Sequence, residues 1–285
     1  MPGIRSCLLT VWLIIWPFGL AVVSAAAQEV ETERMTWVEI RDAVAAGKTT
    51  IIIPTGGTEQ NGPHMVTGKH NFIVRETARR IALTLGNALA APVLAYVPEG
   101  DIEKAEGHMA FPGTISVAPA IFAGVLEAAA HSFAIHGFKL IVFLGDSGPN
   151  QEPQRQVAAD LSRRWAADGV RVINANNYYD RNGGLEWLIA EGESEAVIGT
   201  HAAVRDTSEL LAIFPLGVRN ERRVADKDGV SGDPRRATVE RGEKLLTLKV
   251  AAAVKEIESA QKTPVDPSFG GATSLWQRLL GWLFG

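Results

Sequence analysis

The chain has a single cysteine, Cys7, in 285 residues. It lies just before an apolar run near the N-terminus and leaves with that run if the run is cleaved as a leader. The remainder would then have no disulfide, and its stability would rest on a packed core. Positive charge is also scarce: 28 Lys and Arg against 32 Asp and Glu give a formal charge of −4. With no basic stripe to neutralise a phosphate backbone, nucleic acid is excluded as a partner class. The G-x-S-x-G pattern is absent, so Ser147 has no nucleophile-elbow context. Internal repeats are absent, as are low-complexity segments outside the C-terminal tail, which excludes a repeat architecture.

What is present is a globular composition, with 46% hydrophobic and 21% charged residues. Residues 1–27 read as a signal peptide. Arg5 supplies a short positive region, Leu8 to Val23 an apolar core, and Ser24-Ala25-Ala26-Ala27 a small-residue cleavage site before Gln28. The rival reading is an uncleaved membrane anchor, which the short core and the A-x-A ending disfavour. Cleavage implies an exported protein, periplasmic or secreted, and loss of Arg5 takes the formal charge from −4 to −5. Residues 28–262 form one α/β domain. Residues 263–285 form a turn-rich linker and an apolar amphipathic tail, SLWQRLLGWLFG, too short to span a bilayer. That tail either docks on its own domain or on a second subunit, or contacts a membrane surface.

The domain is organised around IIIPTGGTEQNGPHMVTGKH, from Ile51 to His70. Three β-branched isoleucines predict a buried strand. The polar loop that follows buries little apolar surface, and such a loop after a buried strand marks a site. Asn71 is expected to N-cap the next helix, FIVRETARRIALTL. Thr36 is expected to cap a first helix, WVEIRDAVAAG. Further strands are expected at APVLAYV, KLIVFLG and VRVINA, separated by helical runs, which predicts βαβ units and a mostly parallel sheet with helices on both faces. Polar residues follow each strand: Glu59, His64 and His70; Glu106 and His108; Asp146 and Ser147; Asn176, Asn177 and Tyr178. Loops after parallel strands share one sheet edge, so these residues can converge in one site.

Five segments in order resemble the creatininase (creatinine amidohydrolase) family. GGTEQNGPHMVTGKHNFIVRETARRIA looks like its T-E-x-H-G-P-H-L-P-x-G-T-D segment, and HMAFPGTISV its H-x-x-F-P-G-T-I-S segment. HGFKLIVFLGDSGPN resembles the strand leading into N-G-H-G-G-N. THAAVRDTSELL is similar to H-A-G-x-x-E-T-S, and GVSGDPRRATVERG to G-D-P-x-x-A-T-x-x-x-G. The resemblance covers nearly all of residues 36 to 260. It implies a three-layer α/β sandwich with a central, mostly parallel sheet, assembly as a homo-oligomer (often a hexamer), and metal-dependent hydrolysis of amide or cyclic amide bonds in small molecules.

The family's ligand positions are altered. Glu59 matches the first ligand, but Asn61 stands at the paired His, His70 at the metal-bridging Asp, Asp146 at the third-loop His, and Gly148 at a second-metal Glu. Neutral imidazole offers one nitrogen where a bridging carboxylate offers two oxygens, so His70 argues for one ion. The expected metal ligands are Glu59, His70 and Asp146, around one Zn²⁺ or Mn²⁺. His201 with Asp206 suits general acid/base work, joined by His108 as a catalytic residue. His64, Asn61 and Ser147 are expected to bind substrate. His136 reads as a helix C-cap and His131 as a packed helix residue. Gly229, Gly232, Asp233 and Pro234 are expected to turn the chain into the last long helix. The expectation is an exported metal-dependent amidohydrolase, with creatinine disfavoured as substrate. The alternative is a non-catalytic member that binds a small molecule or a partner protein.

Overall fold

The computed structural model describes residues 29–264, so the expected signal peptide and the apolar tail beyond Pro264 lie outside the described residues. The elements run α1 (Trp37–Ala45), β1 (Thr50–Thr55), α2 (Lys69–Leu85), β2 (Ala88–Ala90), α3 (Pro119–Ile135), β3 (Leu140–Gly145), α4 (Gln151–Arg164) and β4 (Arg171–Asn174). Five more helices follow: α5 (Asn176–Tyr179), α6 (Gly184–Ala190), α7 (Glu195–Ile198), α8 (Val204–Ile213) and α9 (Val239–Lys262). The four strands form one all-parallel sheet in the order β2-β1-β3-β4. Helices α2 and α9 pack together, as do α3 and α4, and both pairs cover the sheet. No helix among the described residues is long and apolar enough to cross a membrane.

This topology positions the site. The chain leaves β1 for β2 on one side and returns to β3 on the other, so the order reverses between β1 and β3. Ligands in open parallel sheets bind at such a reversal, beyond the strand ends. The register pairs Thr55 with Gly145, which sets the loops bearing Glu59 and Asp146 side by side. Beneath them Ile51, Ile52, Ile53, Ile141, Val142 and Phe143 are fully buried, so the loops stand on a rigid floor. A second apolar cluster, including Met65, Val204, Leu210 and Leu245, supports the far side.

Several local expectations are corrected. The second strand is Ala88–Ala90, not residues 91–97; Leu94 contributes only an isolated bridge to Thr55. Helix α2 begins at Lys69, so Asn71 lies inside its first turn, where its Oδ1 accepts the Gly57 N–H at 3.0 Å instead of capping the helix. Thr238 caps α9. Gly229 and Gly232 pack against Gln60 and Gly199 instead. Thr36 does cap α1 in a capping box with Glu39. His136 is the C-cap of α3, and His131 packs against Trp165.

Candidate functional site

Glu59 is 3% exposed and sits at the centre of the loop after β1. On one side its Oε1 accepts from His70 Nε2 at 2.8 Å. His70, on the first turn of α2, donates its other nitrogen to Asp146 Oδ2 at 2.8 Å. Asp146 follows β3, and its Oδ1 accepts from Lys249 Nζ on α9 at 2.7 Å and from Tyr178 at 2.8 Å. Lys249 also donates to Glu209 on α8 at 2.8 Å. Burial works against the imidazolium and Lys69 adds to that, yet the two carboxylate hydrogen bonds raise His70 to about 9. Burial would raise Glu59 and Asp146. The His70 hydrogen bond overcomes it at Glu59 and the Lys249 charge at Asp146, holding both well below the usual carboxylate range.

The other side of Glu59 differs. His108 Nδ1 lies 3.5 Å from Glu59 Oε2, and His201 Nδ1 lies 3.7 Å from Oε1. His201 Nε2 faces the Gln60 carbonyl at 2.9 Å, an acceptor only, so that nitrogen carries the proton. Burial, aided by Lys69, lowers His201 to about 4, so its Nδ1 is a bare lone pair at neutral pH. The Gln60 amide is oriented by the Gly62 N–H donating to its Oε1 and by its own Nε2 donating to Gly229 O. Gln60 Nε2 therefore donates to His108 Nδ1 at 3.0 Å, so an ion bound at that nitrogen would take the place of this hydrogen bond. Among the described residues, Glu59, His108 and His201 form a group whose ligand atoms lie within 4.8 Å of one another. Ligands held at 2.0–2.2 Å by one tetrahedral ion lie about 3.4 Å apart. The donor set and its spacing fit a divalent ion.

The structure thus gathers Glu59 with His108 and His201 round a shared ligand point. His70 and Asp146 are not part of that group: His70 spends both nitrogens on carboxylates at 2.8 Å, whereas His108 and His201 each keep a nitrogen off any carboxylate, and Asp146 holds three donors. His201 and Asp206 are not directly hydrogen-bonded. Asp206 Oδ2 accepts the Ala202 N–H at 2.7 Å and lies 3.4 Å from Lys69 Nζ. It thereby holds Ala202, whose φ of 54° is left-handed, a conformation that costs a β-carbon-bearing residue about 1 kcal/mol or more. Asp206 positions the turn after His201.

Glu59, His70, His108, Asp146, Ser147, His201 and Asp206 all line one cavity of about 230 Å³. His64 and Asn61 do not line it. His64 is fully buried with its Nε2 on Thr207 Oγ1 at 3.0 Å, and Asn61 Nδ2 donates to carbonyls of its own loop. Both brace the loop. Ser147 faces the cavity and donates to Glu99 Oε2 at 3.2 Å. Asn176 and Asn177 border a separate groove beside β4.

Sequence reasoning missed five participants. Lys69, Arg205 and Lys249 are cations on helices, where a charge reads as a solvated face; Tyr179 sits on the short helix α5. Glu99 was passed over for Glu106, which is exposed, although Glu99 stands nearer the strand end. Burial first, and the Glu59 charge second, push Glu99 up to about 8, so it is a neutral acid. Gly57 makes room for it, since a β-carbon there would come within 2.0 Å of Glu99 Oε1.

The family model for creatininase, creatinine amidohydrolase, matches residues 33–257. The chain belongs to the creatininase family. Two curated members of known activity are similar to it. A 3-dehydro-scyllo-inosose hydrolase of Thermotoga maritima is 29% identical over 184 residues, 64% of this chain and 56% of the relative. The chain therefore matches little more than half of that relative's length. A creatinine amidohydrolase of Pseudomonas putida is 30% identical over 186 residues, 64% of this chain and 70% of the relative. The solved structure of a creatininase with Mn superposes with a TM-score of 0.69 at 24% identity, covering 83% of this chain and all of that one. That likeness bears out the creatininase-type α/β fold with its parallel sheet.

Proposed function

We propose that the protein is a metal-dependent hydrolase of an amide bond in a small molecule, with Glu59, His108 and His201 holding one Zn²⁺ or Mn²⁺. The observation that carries this reading is the gathering of Glu59, His108 and His201, whose ligand atoms all lie within 4.8 Å of one another, with the proton-free Nδ1 of His201 3.7 Å from Glu59 Oε1. Lone pairs facing a carboxylate repel unless a cation lies between them. When bound, the ion supplies a polarised carbonyl and an acidic water. Hydrolysis adds the water oxygen to the carbonyl carbon, breaks the C–N bond and moves a proton to the departing nitrogen.

The chain's own groups divide that work. Lys69 is 1% exposed and forms long ion pairs to Asp206 and Glu59, at 3.4 and 3.8 Å. It faces the cavity, where it can meet charge developing on the carbonyl oxygen and give a proton to the departing amine. Asp206 and Ala202 hold His201 in place. His70 fixes Glu59 from behind, and its second hydrogen bond ties that carboxylate to the β3 loop.

A second reading has one observation in its favour. His70 and Lys69 already place positive charge against Glu59, so a non-catalytic member could be stable without an ion and bind a small molecule in the same cavity. Metal analysis and turnover separate the two. Purified protein reconstituted with Zn²⁺ or Mn²⁺ should retain close to one equivalent and hydrolyse members of an amide and lactam panel. Protein that holds no metal and turns over nothing would favour the binding role.

The proposal includes export, with N-terminal sequencing of envelope material expected to begin near Gln28. It also includes self-association. Trp37 and Leu216 are 73% and 81% exposed, apolar surface that a second copy can cover. Membrane-surface contact through the tail would appear as vesicle co-sedimentation lost on removal of residues 263–285.

A further inference from the structure

Four cations line the cavity wall: Lys69, His70, Lys249 and Arg205. Three of them are matched to carboxylates. His70 lies between Glu59 and Asp146, Lys249 between Asp146 and Glu209, and Lys69 beside Asp206 and Glu59. Arg205, on the first turn of α8, makes no hydrogen bond and no ion pair with any described residue, yet it borders the cavity. A guanidinium has five N–H donors and gains most from a planar, two-oxygen acceptor. Leaving it without an acceptor in a partly buried wall is costly unless a ligand supplies one.

Two neighbours shape the place beside it. Tyr179 lines the same cavity, and its hydroxyl has no hydrogen-bond partner among the described residues. Gly148 borders it as well, and a β-carbon there would come within 3.1 Å of the Tyr179 hydroxyl oxygen. The resemblance puts a carboxylate-bearing Glu at position 148 in creatininases proper. Here the charges of Asp206 and Glu209 act on Arg205 without a hydrogen bond, and the protein keeps a guanidinium and a phenol hydroxyl as unspent donors. The wall carboxylates Glu59 and Asp146 accept hydrogen bonds from His70 and Lys249, and Asp206 accepts the Ala202 N–H, so none of the three is bonded to Arg205.

We propose that this cavity binds a substrate through a carboxylate held by Arg205 and Tyr179, so that the amide cleaved belongs to an acylated amino acid or a carboxylated cyclic amide. The inference rests on the amide-hydrolase reading for its substrate class, but the anion site stands on its own contacts. The cavity, about 230 Å³, lies just below the roughly 300–1,000 Å³ of pockets for drug-sized ligands, so the substrate is small.

The probe is succinate, with succinamide as its uncharged counterpart, titrated by calorimetry into the protein as purified and after chelator treatment. Succinate should bind and succinamide should bind much more weakly. Arg205→Gln should weaken succinate roughly tenfold to a hundredfold, as expected for loss of a charge-assisted pair. Arg205→Lys should recover part of that loss. Arg205 makes no hydrogen bond in the fold, and Asp206 keeps Lys69 and the Ala202 N–H, so both variants should unfold cooperatively at a denaturant concentration close to that of wild type. Binding that Arg205→Gln leaves unchanged overturns the proposal. So does equal affinity for succinamide, absence of succinate binding, or binding that chelator abolishes, since an ion would then be the receptor. Succinate binding with no turnover of any amide upholds this site and removes the hydrolase reading. Turnover that does not distinguish a free carboxylate from its primary amide does the reverse.

Discussion

On one side of Glu59, His70 has both nitrogens hydrogen-bonded to carboxylates at 2.8 Å, and Asp146 passes the chain on to Lys249 and Glu209. On the other, the Nδ1 atoms of His108 and His201 lie 3.5 and 3.7 Å from the same carboxylate, too far for a direct hydrogen bond. The residue types are alike, imidazole against carboxylate. What separates them is where the second ring nitrogen goes. In His70 it meets another carboxylate, which keeps the ring charged. In His201 it meets a backbone carbonyl, which leaves the ring neutral with its lone pair toward Glu59. One side is a buried ion-pair chain and the other the candidate metal group.

The largest effect should come from cutting the chain. Lys249→Met leaves Asp146 and Glu209 buried without their cation. Breaking a buried pair from one side costs about 3–5 kcal/mol, to be read as a lower urea midpoint at unchanged slope. An unchanged midpoint would mean that the chain is not structural.

Alkaline pH should act on the same side. His70 is raised from 6.5 to about 9, so its contribution to stability is complete below pH 6.5 and lost as pH rises through 9. Glu99, raised from 4.5 to about 8, also binds its proton more tightly when folded and loses stability as pH climbs toward 8. In metal-free protein His70 should therefore account for a loss of roughly 3 kcal/mol between pH 6.5 and 9.5, and Glu99 for roughly 2 more. His70→Gln should flatten most of that slope in thermal unfolding.

The ligand side responds to different changes. His108→Ala and His201→Ala should each weaken Zn²⁺ on the order of a hundredfold or more in a chelator competition, since losing even an outer partner costs about 10–100-fold. Neither should move the urea midpoint of metal-free protein as Lys249→Met does. Equal loss of metal from His70→Gln and His201→Ala would erase the distinction between the two sides.

The smallest effect lies outside the cavity. Thr207→Val removes the partner of His64 Nε2, and one hydrogen bond is worth about 1 kcal/mol. Stability should fall by that amount while metal affinity stays as it was. A change in metal affinity would restore His64 to the site.

The strands and most helix limits were legible because they depend on short-range pattern. Three isoleucines in a row, a threonine cap before an amphipathic run and Gly137 at a helix stop each carry their own physical signal. The short β2 escaped because Ala88–Ala90 has no β-branched residue, whereas the more β-like residues after it take irregular backbone. Asn71 misled because a capping side chain is equally suited to bonding a neighbouring loop, and here Gly57 takes it. Glu59, His108, Asp146 and His201 were recognisable as site residues from their places in family-like segments after strands.

The sequence alone determined the parallel α/β sheet, the convergence of its loops on one edge, and the small set of imidazoles and carboxylates gathered there. Strand pattern and chain order are enough for that, since parallel strands must present their following loops together. Only the tertiary structure decided which histidine is held between two carboxylates as a cation and which faces Glu59 as a neutral ring. That choice depends on what lies within 3 Å of each ring nitrogen, and those partners come from residues as far as 141 positions apart, as with His201 and Gln60. It also decided that Arg205 makes no hydrogen bond with any described residue. A hydrogen bond depends on distance and angle between side chains, and neither is encoded in spacing along the chain.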